Sequence, residues 1–426
     1  MTSRRSFLSL SAALAATSCT APAPKKKQAP KTPTLLVRSG WQTENIGDIA
    51  HTPGLLRLIQ QHFSGIKVIL WSNATDRGVA QMLTRNFEQL EIISGQPDSD
   101  AVKQAFLRAG FLLHGSGPSV VAREHVDAWR KATSKPYGIL GVTVTMQDEA
   151  ASKAIDDGLR DLLENASFVY TRETASLQNL KSAGIRRPVV GFAPDATFSI
   201  KLSNEEAAKP FLDKNGLEPK RFIAVVPRLR FTPYHKMRKT NWSEEMIRQR
   251  TKVNLQHQEQ DHAKLREAMI AWVRQTGYKV LLCPEMTYQL EIIDPLLYNP
   301  LPADVKAKVV RRKDYWITDE ASSVYRRAVA VLSFECHSPI IASANDTPSL
   351  YIRQPQDGIK GQMWTDLGLG QWAPRVEETT GAQITEALMK IHNNYNPAQV
   401  DVHEAVVYAR RLQAPAMDEL RKVLYA

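Results

Sequence analysis

Cysteine is scarce in this chain, which has only Cys19, Cys283 and Cys336 among its 426 residues. Neither a C-x-x-C pair nor a His-x-x-x-His spacing occurs, so the ligand patterns of common zinc sites are missing. We therefore expect no metal ion, and the sequence indicates no cofactor. Cys283 and Cys336 lie in apolar segments, which predicts buried free thiols; a disulfide between them is the alternative.

Long hydrophobic runs are missing as well. Near the N-terminus, residues 7–16 form an apolar stretch of about ten residues, against the roughly 20 that a membrane-spanning helix needs. The basic residues behind the net charge of +11 are mostly dispersed rather than clustered with aromatic residues. This pattern does not match nucleic-acid-binding motifs, and we expect no nucleic-acid partner.

The short apolar run stands between the pair Arg4-Arg5 and the small residues that precede Cys19. This order predicts a twin-arginine signal peptide of the lipoprotein type over residues 1–18, with Cys19 lipidated. An ordinary Sec signal is the alternative. Residues 19–33 are rich in Pro, Ala and Lys and indicate a tether. Together these features predict an exported, membrane-anchored lipoprotein of the periplasm or cell surface.

From residue 34 onward, short β-branched and Leu-rich runs alternate with amphipathic segments, which is typical of βα units around a parallel sheet. A polar break predicts two α/β domains, over 34–204 and 220–372, followed by closing helices over 373–426. A polar stretch over 232–260 indicates an inserted loop or an exposed helix. The expected strands are 34–38, 67–71, 90–94, 111–114, 137–144, 168–170, 188–192, 221–227, 279–283, 308–310, 328–332 and 350–352.

Two groups of residues in the first half lie where a predicted strand meets the next helix, the edge at which doubly wound sheets bind ligands. In the first group, Asn45 and Asp48 flank Gly47, which can take a positive φ near a helix N-terminus. Helix capping by Asp48 is the plainer alternative. The second group is the turn Gly115-Ser116-Gly117 after His114, whose amides could approach an anion. A tight turn beside a buried histidine explains it equally well.

A third group, Glu335-Cys336-His337-Ser338, follows a predicted strand of the second half. A histidine at such a strand-to-helix turn suits general acid catalysis or anion contact near neutral pH. The alternative is a structural role, which is more common for a lone histidine. Lys360 follows later in the chain and is expected to reach the same cleft.

The order of these motifs resembles that of the polysaccharide pyruvyl transferase family, over residues 36–372. The matching segments are 45–48, 114–117, 168–177, 194–198, 226–228, 336–338 and 366–369. The resemblance implies two Rossmann-like domains that face each other across a cleft in a GT-B-like arrangement. It also implies a transferase that moves a pyruvyl group from phosphoenolpyruvate to two hydroxyls of a cell-surface glycan, giving a cyclic ketal.

The resemblance also implies roles for single residues. Arg228 would pair with the donor anion, and His337 would be the acid or a phosphate contact. Asp48 or Asn45 would hold or activate an acceptor hydroxyl. The further candidates for donor or substrate binding are Gly47, Gly115, Ser116, Gly117, Arg230, Glu335, Ser338, Arg353 and Lys360.

Glu335 departs from the family, which usually carries an arginine two residues before the histidine. A carboxylate there would repel a phosphorylated donor by about 4 kcal/mol at about 4 Å and an effective dielectric of about 20. Arg353, Lys360 or Arg230 could supply the missing charge. Phosphoenolpyruvate is moreover a cytoplasmic metabolite, whereas the leader predicts export. Two alternatives therefore stay open: an exported glycan-binding lipoprotein that has lost phosphoenolpyruvate-dependent activity, and a GT-B-like glycosyltransferase.

Overall fold

The computed structural model describes residues 33–145 and 155–425. The predicted signal peptide, Cys19 and the tether up to residue 32 lie outside these residues. The described strands form one sheet of seven strands and one of five, and the strand pairs in both sheets are parallel. This confirms the predicted class of two parallel α/β sheets.

The seven-stranded sheet occupies the first half of the chain. Its strands are β1 (Thr34–Arg38), β2 (Lys67–Trp71), β3 (Leu90–Ile93), β4 (Phe111–His114), β5 (Tyr137–Val142), β6 (Phe168–Thr171) and β7 (Val189–Phe192). Their order across the sheet is β3-β2-β1-β4-β5-β6-β7. The described helices between them are α1 (Ile46–His62), α2 (Val79–Asn86), α3 (Asp100–Arg108), α4 (Arg123–Thr133), α5 (Asp157–Glu164) and α6 (Thr174–Ser182). A short 3-10 turn, Ala196–Ser199, follows β7.

The five-stranded sheet follows. Its strands are β8 (Phe222–Val226), β9 (Lys279–Leu282), β10 (Val309–Arg311), β11 (Val331–Ser333) and β12 (Ser349–Tyr351), in the order β10-β9-β8-β11-β12. The helices of this half are α7 (Glu205–Lys214), α8 (Tyr234–Met237), α9 (Glu244–Thr276), α10 (Gln289–Ile293), α11 (Ala303–Lys306), α12 (Thr318–Tyr325), α13 (His337–Ser343) and α14 (Gln362–Asp366). A π-helical turn covers Asp294–Tyr298, and 3-10 helices cover Pro355–Gly361 and Gly370–Trp372.

Two helices close the chain, α15 (Gly381–Asn393) and α16 (Tyr395–Leu424). Val402 and Val406 of α16 pack in the core of the second sheet, whereas Met417 and Leu420 pack in the core of the first. The last helix therefore returns to the first half and ties the two sheets together.

Helix limits differ from the sequence prediction at two places. Apolar residues at helical spacing in the sequence predict a helix over 53–63, but α1 begins at Ile46 and carries Pro53 inside it, although proline lacks the N–H of a helix interior. Much of the polar stretch over 232–260 belongs to α9, a 33-residue helix that Ser243 caps. Most of its buried residues lie from Asp261 onward, so the exposed-helix alternative describes its first half.

Apolar side chains cover both faces of each sheet, as parallel sheets require. Cys283 and Cys336 are both buried free thiols. Within the described residues, no helix combines the length and the apolar content of a membrane span.

Candidate active site

The predicted site residues follow strands at which the strand order of each sheet reverses. In the first sheet β1 and β4 are neighbours, and the segments after them carry Asn45 and the turn at 115–117. In the second sheet β8 and β11 have the same relation, and Arg228 and His337 follow them. These reversals, at the carboxyl ends of parallel strands, are where open α/β sheets bind ligands.

Asn45, rather than Asp48, caps helix α1. Its Oδ1 accepts hydrogen bonds from the backbone N–H of Gly47 at 2.6 Å and of Asp48 at 3.3 Å. The Asp48 carboxylate accepts a hydrogen bond from Gln42 and lies 3.7 Å from His51 Nε2. The simple capping alternative for Asp48 is therefore wrong, and 15% of its side chain remains exposed.

Gly47 allows the two halves of the molecule to touch. A Cβ at Gly47 would lie closer to the His337 side chain than non-bonded carbons allow. The residue belongs to α1 and has no positive φ, so the conformation expected from the sequence is wrong. Next to it, the Ile46 N–H donates to the Glu285 carbonyl at 3.0 Å. Close approach, rather than a special backbone angle, is what requires glycine here.

His337 begins α13 between two buried carboxylates, one from each half. Its Nε2 lies 4.0 Å from Asp195 Oδ2, and its Nδ1 lies 3.7 Å from Glu285 Oε1 and 3.4 Å from Cys336 Sγ. Burial alone would lower the pKa of His337, but Cys336 and Glu285 outweigh burial and raise it well above its ordinary value. The ring is therefore held as an imidazolium, which can donate a proton.

Asp195 and His51 complete this group, although the sequence assigned no role to either. The fully buried Asp195 carboxylate accepts hydrogen bonds from the Thr197 N–H at 2.9 Å and from Arg172 at 3.0 Å, and it lies 3.0 Å from His51 Nδ1. Burial would raise the pKa of Asp195, but His51, Arg172 and His337 together hold it well below its ordinary value. The sequence carried two signals: Asp195 lies in the family-like segment 194–198, and His51 interrupts an otherwise apolar stretch of α1.

Arg228 also lies between two buried carboxyl groups. It donates to Asp357, and its Nε lies 3.4 Å from Glu335 Oε2. Gln289 donates to Glu335 Oε1 at 2.8 Å and accepts from the Glu285 N–H at 2.7 Å, so this group adjoins that of His337.

Glu335 thus turns towards Arg228. Burial raises the pKa of Glu335 to about 8, against the opposing effect of Arg228. Near neutral pH the carboxyl is therefore largely protonated. The full repulsion of a phosphorylated donor that we expected from the sequence does not apply to a neutral group.

The other predicted cations of the second half differ in their pairing. Arg230 donates to both oxygens of Asp261, at 2.8 and 3.1 Å, and to Glu377 at 2.8 Å. The charge of the half-buried Lys360 acts on the Arg228 group. Arg353 packs against Gly361, and its buried Nε has no hydrogen-bond partner among the described residues.

Ser338 has a local structural role. Its backbone N–H donates to Glu285 Oε2 at 2.6 Å, and its hydroxyl accepts a hydrogen bond from Tyr325 at 3.1 Å. These contacts fix Glu285 beside His337.

The glycine turn after β4 contacts Trp41, whose Nε1 donates to the Ser116 carbonyl at 2.7 Å. Neither Gly115 nor Gly117 has a positive φ. The neighbouring His114 is buried, and burial lowers its pKa to about 4, so its ring is neutral. These contacts agree with the tight-turn alternative.

The donor atoms of His51, Asp195 and His337 lie within 4.8 Å of one another, a set that metal ions can use. Both Asp195 oxygens, however, already have partners in the protein. The Arg172 guanidinium at 3.0 Å would also repel a cation. The three residues therefore fit a proton-transfer network better than a metal site.

Two parallel sheets of seven and five strands, with contact between Gly47 after β1 and His337 after β11, have the architecture of a GT-B type of fold. A family model described as polysaccharide pyruvyl transferase matches residues 45–354. The chain therefore belongs to the polysaccharide pyruvyl transferase family, and this membership supports a glycan-modifying transferase. No curated protein matches the chain at a significant level.

Solved structures share the fold at low sequence identity. The UDP-GlcNAc 2-epimerase from Neisseria meningitidis bound to UDP-GlcNAc has a TM-score of 0.56 and 11% identity, with 91% of this chain and 100% of that chain covered. S. aureus MnaA with UDP has a TM-score of 0.54 and 10% identity, covering 88% and 91%. Anabaena HepE with UDP and glucose has a TM-score of 0.52 and 10% identity, covering 92% and 100%. At such identities the similarity shows the fold alone.

Proposed function

We propose that the protein transfers a pyruvyl group from a donor of the phosphoenolpyruvate type to two hydroxyls of a cell-surface glycan, forming a ketal. The observation that carries this proposal is the position of His337, which lies between the two halves with Asp195 opposite it at 4.0 Å and whose pKa is raised well above its ordinary value. Membership of the family supports the same reaction.

Ketal formation from an enol ester needs an acid on one side and a base on the other. The methylene carbon of the donor takes up a proton while a hydroxyl oxygen bonds to the neighbouring carbon. A second hydroxyl then displaces phosphate. Of the two hydroxyl protons, one is balanced by the proton on the new methyl group and the other leaves with the phosphate. His337 is the acid in this scheme, and the partly exposed Asp48 receives the acceptor.

The donor carries a carboxylate and a phosphate, so its site needs positive charge. Arg228 and Lys360 provide two cations beside Glu335. Because Glu335 is largely protonated near neutral pH, this group carries less negative charge than its two carboxyl groups suggest. An anionic donor is therefore compatible with the carboxyl group at position 335.

The experiment is to incubate the purified full-length protein with phosphoenolpyruvate and candidate glycans, and to measure ketal by mass spectrometry together with released phosphate. His337→Asn should lower the rate by about 10²- to 10⁴-fold, the usual contribution of a general acid. His403, an exposed histidine 3.0 Å from Asp346, offers the matched control, and His403→Asn should leave the rate unchanged. Phosphate release without ketal, or an unaffected His337→Asn variant, contradicts the proposal.

A second candidate function is glycan binding without transfer, and the two carboxyl groups on Arg228 favour it. In that case calorimetry should detect glycan binding but no phosphoenolpyruvate binding to the wild type, and Glu335→Arg should create donor affinity. Donor binding to the wild type would exclude this candidate.

We further propose export and anchoring through a lipidated Cys19, which rests on the sequence pattern of residues 1–19 alone. Metabolic labelling with a fatty acid should label the wild type but not Cys19→Ser, and the variant should leave the membrane fraction. Equal labelling of both proteins would contradict lipidation at Cys19.

A further inference from the structure

His51 is a buried histidine that has no role in the proposed transfer reaction. It lies on α1 one turn after Asp48, and its Nδ1 is 3.0 Å from Asp195 Oδ1. Its Nε2 is buried, has no hydrogen-bond partner among the described residues, and lies 3.7 Å from Asp48 Oδ1. A buried ring nitrogen without a partner is uncommon and calls for an explanation.

Asp195 determines which nitrogen of His51 carries the hydrogen. The carboxylate is held in place by the Thr197 N–H at 2.9 Å and by Arg172 at 3.0 Å. Because an ionised carboxylate only accepts hydrogen bonds, His51 Nδ1 must be the donor in their contact. In the neutral ring, Nε2 then keeps its lone pair and points towards Asp48. A carboxylate behind one ring nitrogen and a free lone pair on the other is the arrangement of a histidine base.

Two cations and two carboxylates surround His51. The His337 imidazolium packs edge-on against it, with ring centroids 4.9 Å apart, and Arg172 lies on the far side of Asp195. Asp48 and Asp195 are the carboxylates that face the ring. His337 repels a positive charge on His51 only while His337 is itself charged, so the transfer of a proton to His51 becomes easier once His337 has given up its own proton.

We propose that Asp48 and His51 form a proton relay that accepts the acceptor proton, with Asp195 positioning His51. The relay rests on the proposed function. As the acceptor oxygen bonds to the donor carbon, its O–H bond breaks, and the proton passes to the Asp48 carboxylate and on to His51 Nε2. In the same step His337 loses a proton to the donor methylene. One positive charge thus moves from His337 to His51, and Asp195 lies beside both rings.

The first test needs no transferase activity. In full-length protein labelled with ¹⁵N-histidine, long-range proton–nitrogen NMR reports the tautomer of each ring, and His51→Gln identifies the His51 signals. We expect the Nδ1–H tautomer at pH 7 in the wild type and its loss in Asp195→Asn. An Nε2–H tautomer or an imidazolium at pH 7 would overturn the relay.

The second test measures transfer against pH. His51→Gln should lower kcat about 10²-fold, change the donor KM by less than threefold, and remove the fall in rate at low pH. A purely structural role would leave the shape of the pH profile unchanged, and such a result, or an unchanged kcat, would overturn the relay. A wild type that transfers nothing contradicts the proposed function, whereas the tautomer still decides the arrangement around His51.

Discussion

His337 and Arg228 are both buried cations between two carboxyl groups, but the two groups are built differently. The partners of His337 come from both halves of the molecule and lie at 4.0 Å (Asp195) and 3.7 Å (Glu285). The Arg228 carboxyl partners belong to its own half, and it donates directly to one of them. His337 Nε2 has no hydrogen-bond partner within 33–145 and 155–425.

This difference separates a reactive centre from a fixed one. Because His337 Nε2 has no hydrogen-bond partner among the described residues, a ligand can bind that nitrogen without breaking an existing hydrogen bond. A buried arginine in direct contact with a carboxylate must keep that contact, because an isolated buried charge is costly. The geometry of the His337 group should therefore depend on contact between the halves, whereas the geometry of the Arg228 group should depend only on residues of the second half.

The largest expected effect tests the Arg228 group. Arg228→Met leaves the buried Asp357 without its cation and should lower the free energy of unfolding by about 3–5 kcal/mol, as measured by urea denaturation. Arg274, which forms an exposed pair with Asp304 at 3.0 Å, is the control. Arg274→Met should cost at most about 1 kcal/mol. Equal losses in the two variants would show that the Arg228 group is not fixed as described.

A smaller effect of opposite sign is expected from Glu335→Gln. The unfolded chain ionises Glu335 near pH 4.5, whereas the folded pKa is raised to about 8 by burial, against the opposing charge of Arg228. Between these values the folded state binds more protons. Its stabilisation by this group is therefore complete below pH 4.5 and is lost as the pH rises through 8.

Glutamine stays neutral at every pH, so Glu335→Gln should gain stability relative to the wild type between pH 4.5 and 8. The gain should amount to about 1–3 kcal/mol at pH 8. Linkage adds at most about 1.4 kcal/mol for each pH unit in this window, and the weaker contact of glutamine with Arg228 removes part of that gain. Urea denaturation at pH 5 and pH 8 measures it. Parallel pH dependences of the two proteins would contradict a protonated Glu335.

The central strands were predictable from the sequence because they are short apolar runs buried on both faces, as in Phe111–His114. The edge strands Leu90–Ile93 and Val189–Phe192 are only partly buried, but they keep the same β-branched or apolar pattern. The start of α1 was not predictable, because Pro53 gave a stronger start signal than the Asn45 cap. Residues at strand ends, such as His337, could be named because parallel topology brings those ends to one edge.

The His51–Asp195 pair was beyond sequence reasoning. Its members are 144 positions apart, and their contact depends on how α1 packs against the turn Ala196–Ser199. The neutral state of Glu335 was equally hidden. Its cause is burial, which the residue type alone does not reveal.

Gly47→Ala gives the smallest expected effect and addresses the contact between the halves. The added methyl group would overlap the His337 side chain, at a cost of about 1–3 kcal/mol for overpacking. The better helix propensity of alanine returns about 0.5–1 kcal/mol, so the net loss in the free energy of unfolding should be about 1 kcal/mol. Gly110 is the control, because a Cβ there meets open space and its φ is not positive.

Transfer activity should respond more strongly than stability to Gly47→Ala. If the halves move apart, the distance between His337 and Asp195 increases. The Arg228 group lies wholly within the second half and keeps its geometry. The rate of ketal formation should then fall while phosphoenolpyruvate affinity, measured by calorimetry, stays within threefold of the wild type. A parallel loss of rate and donor affinity would contradict this prediction. It would show that the Arg228 group, like the His337 group, depends on the contact between the halves at Gly47.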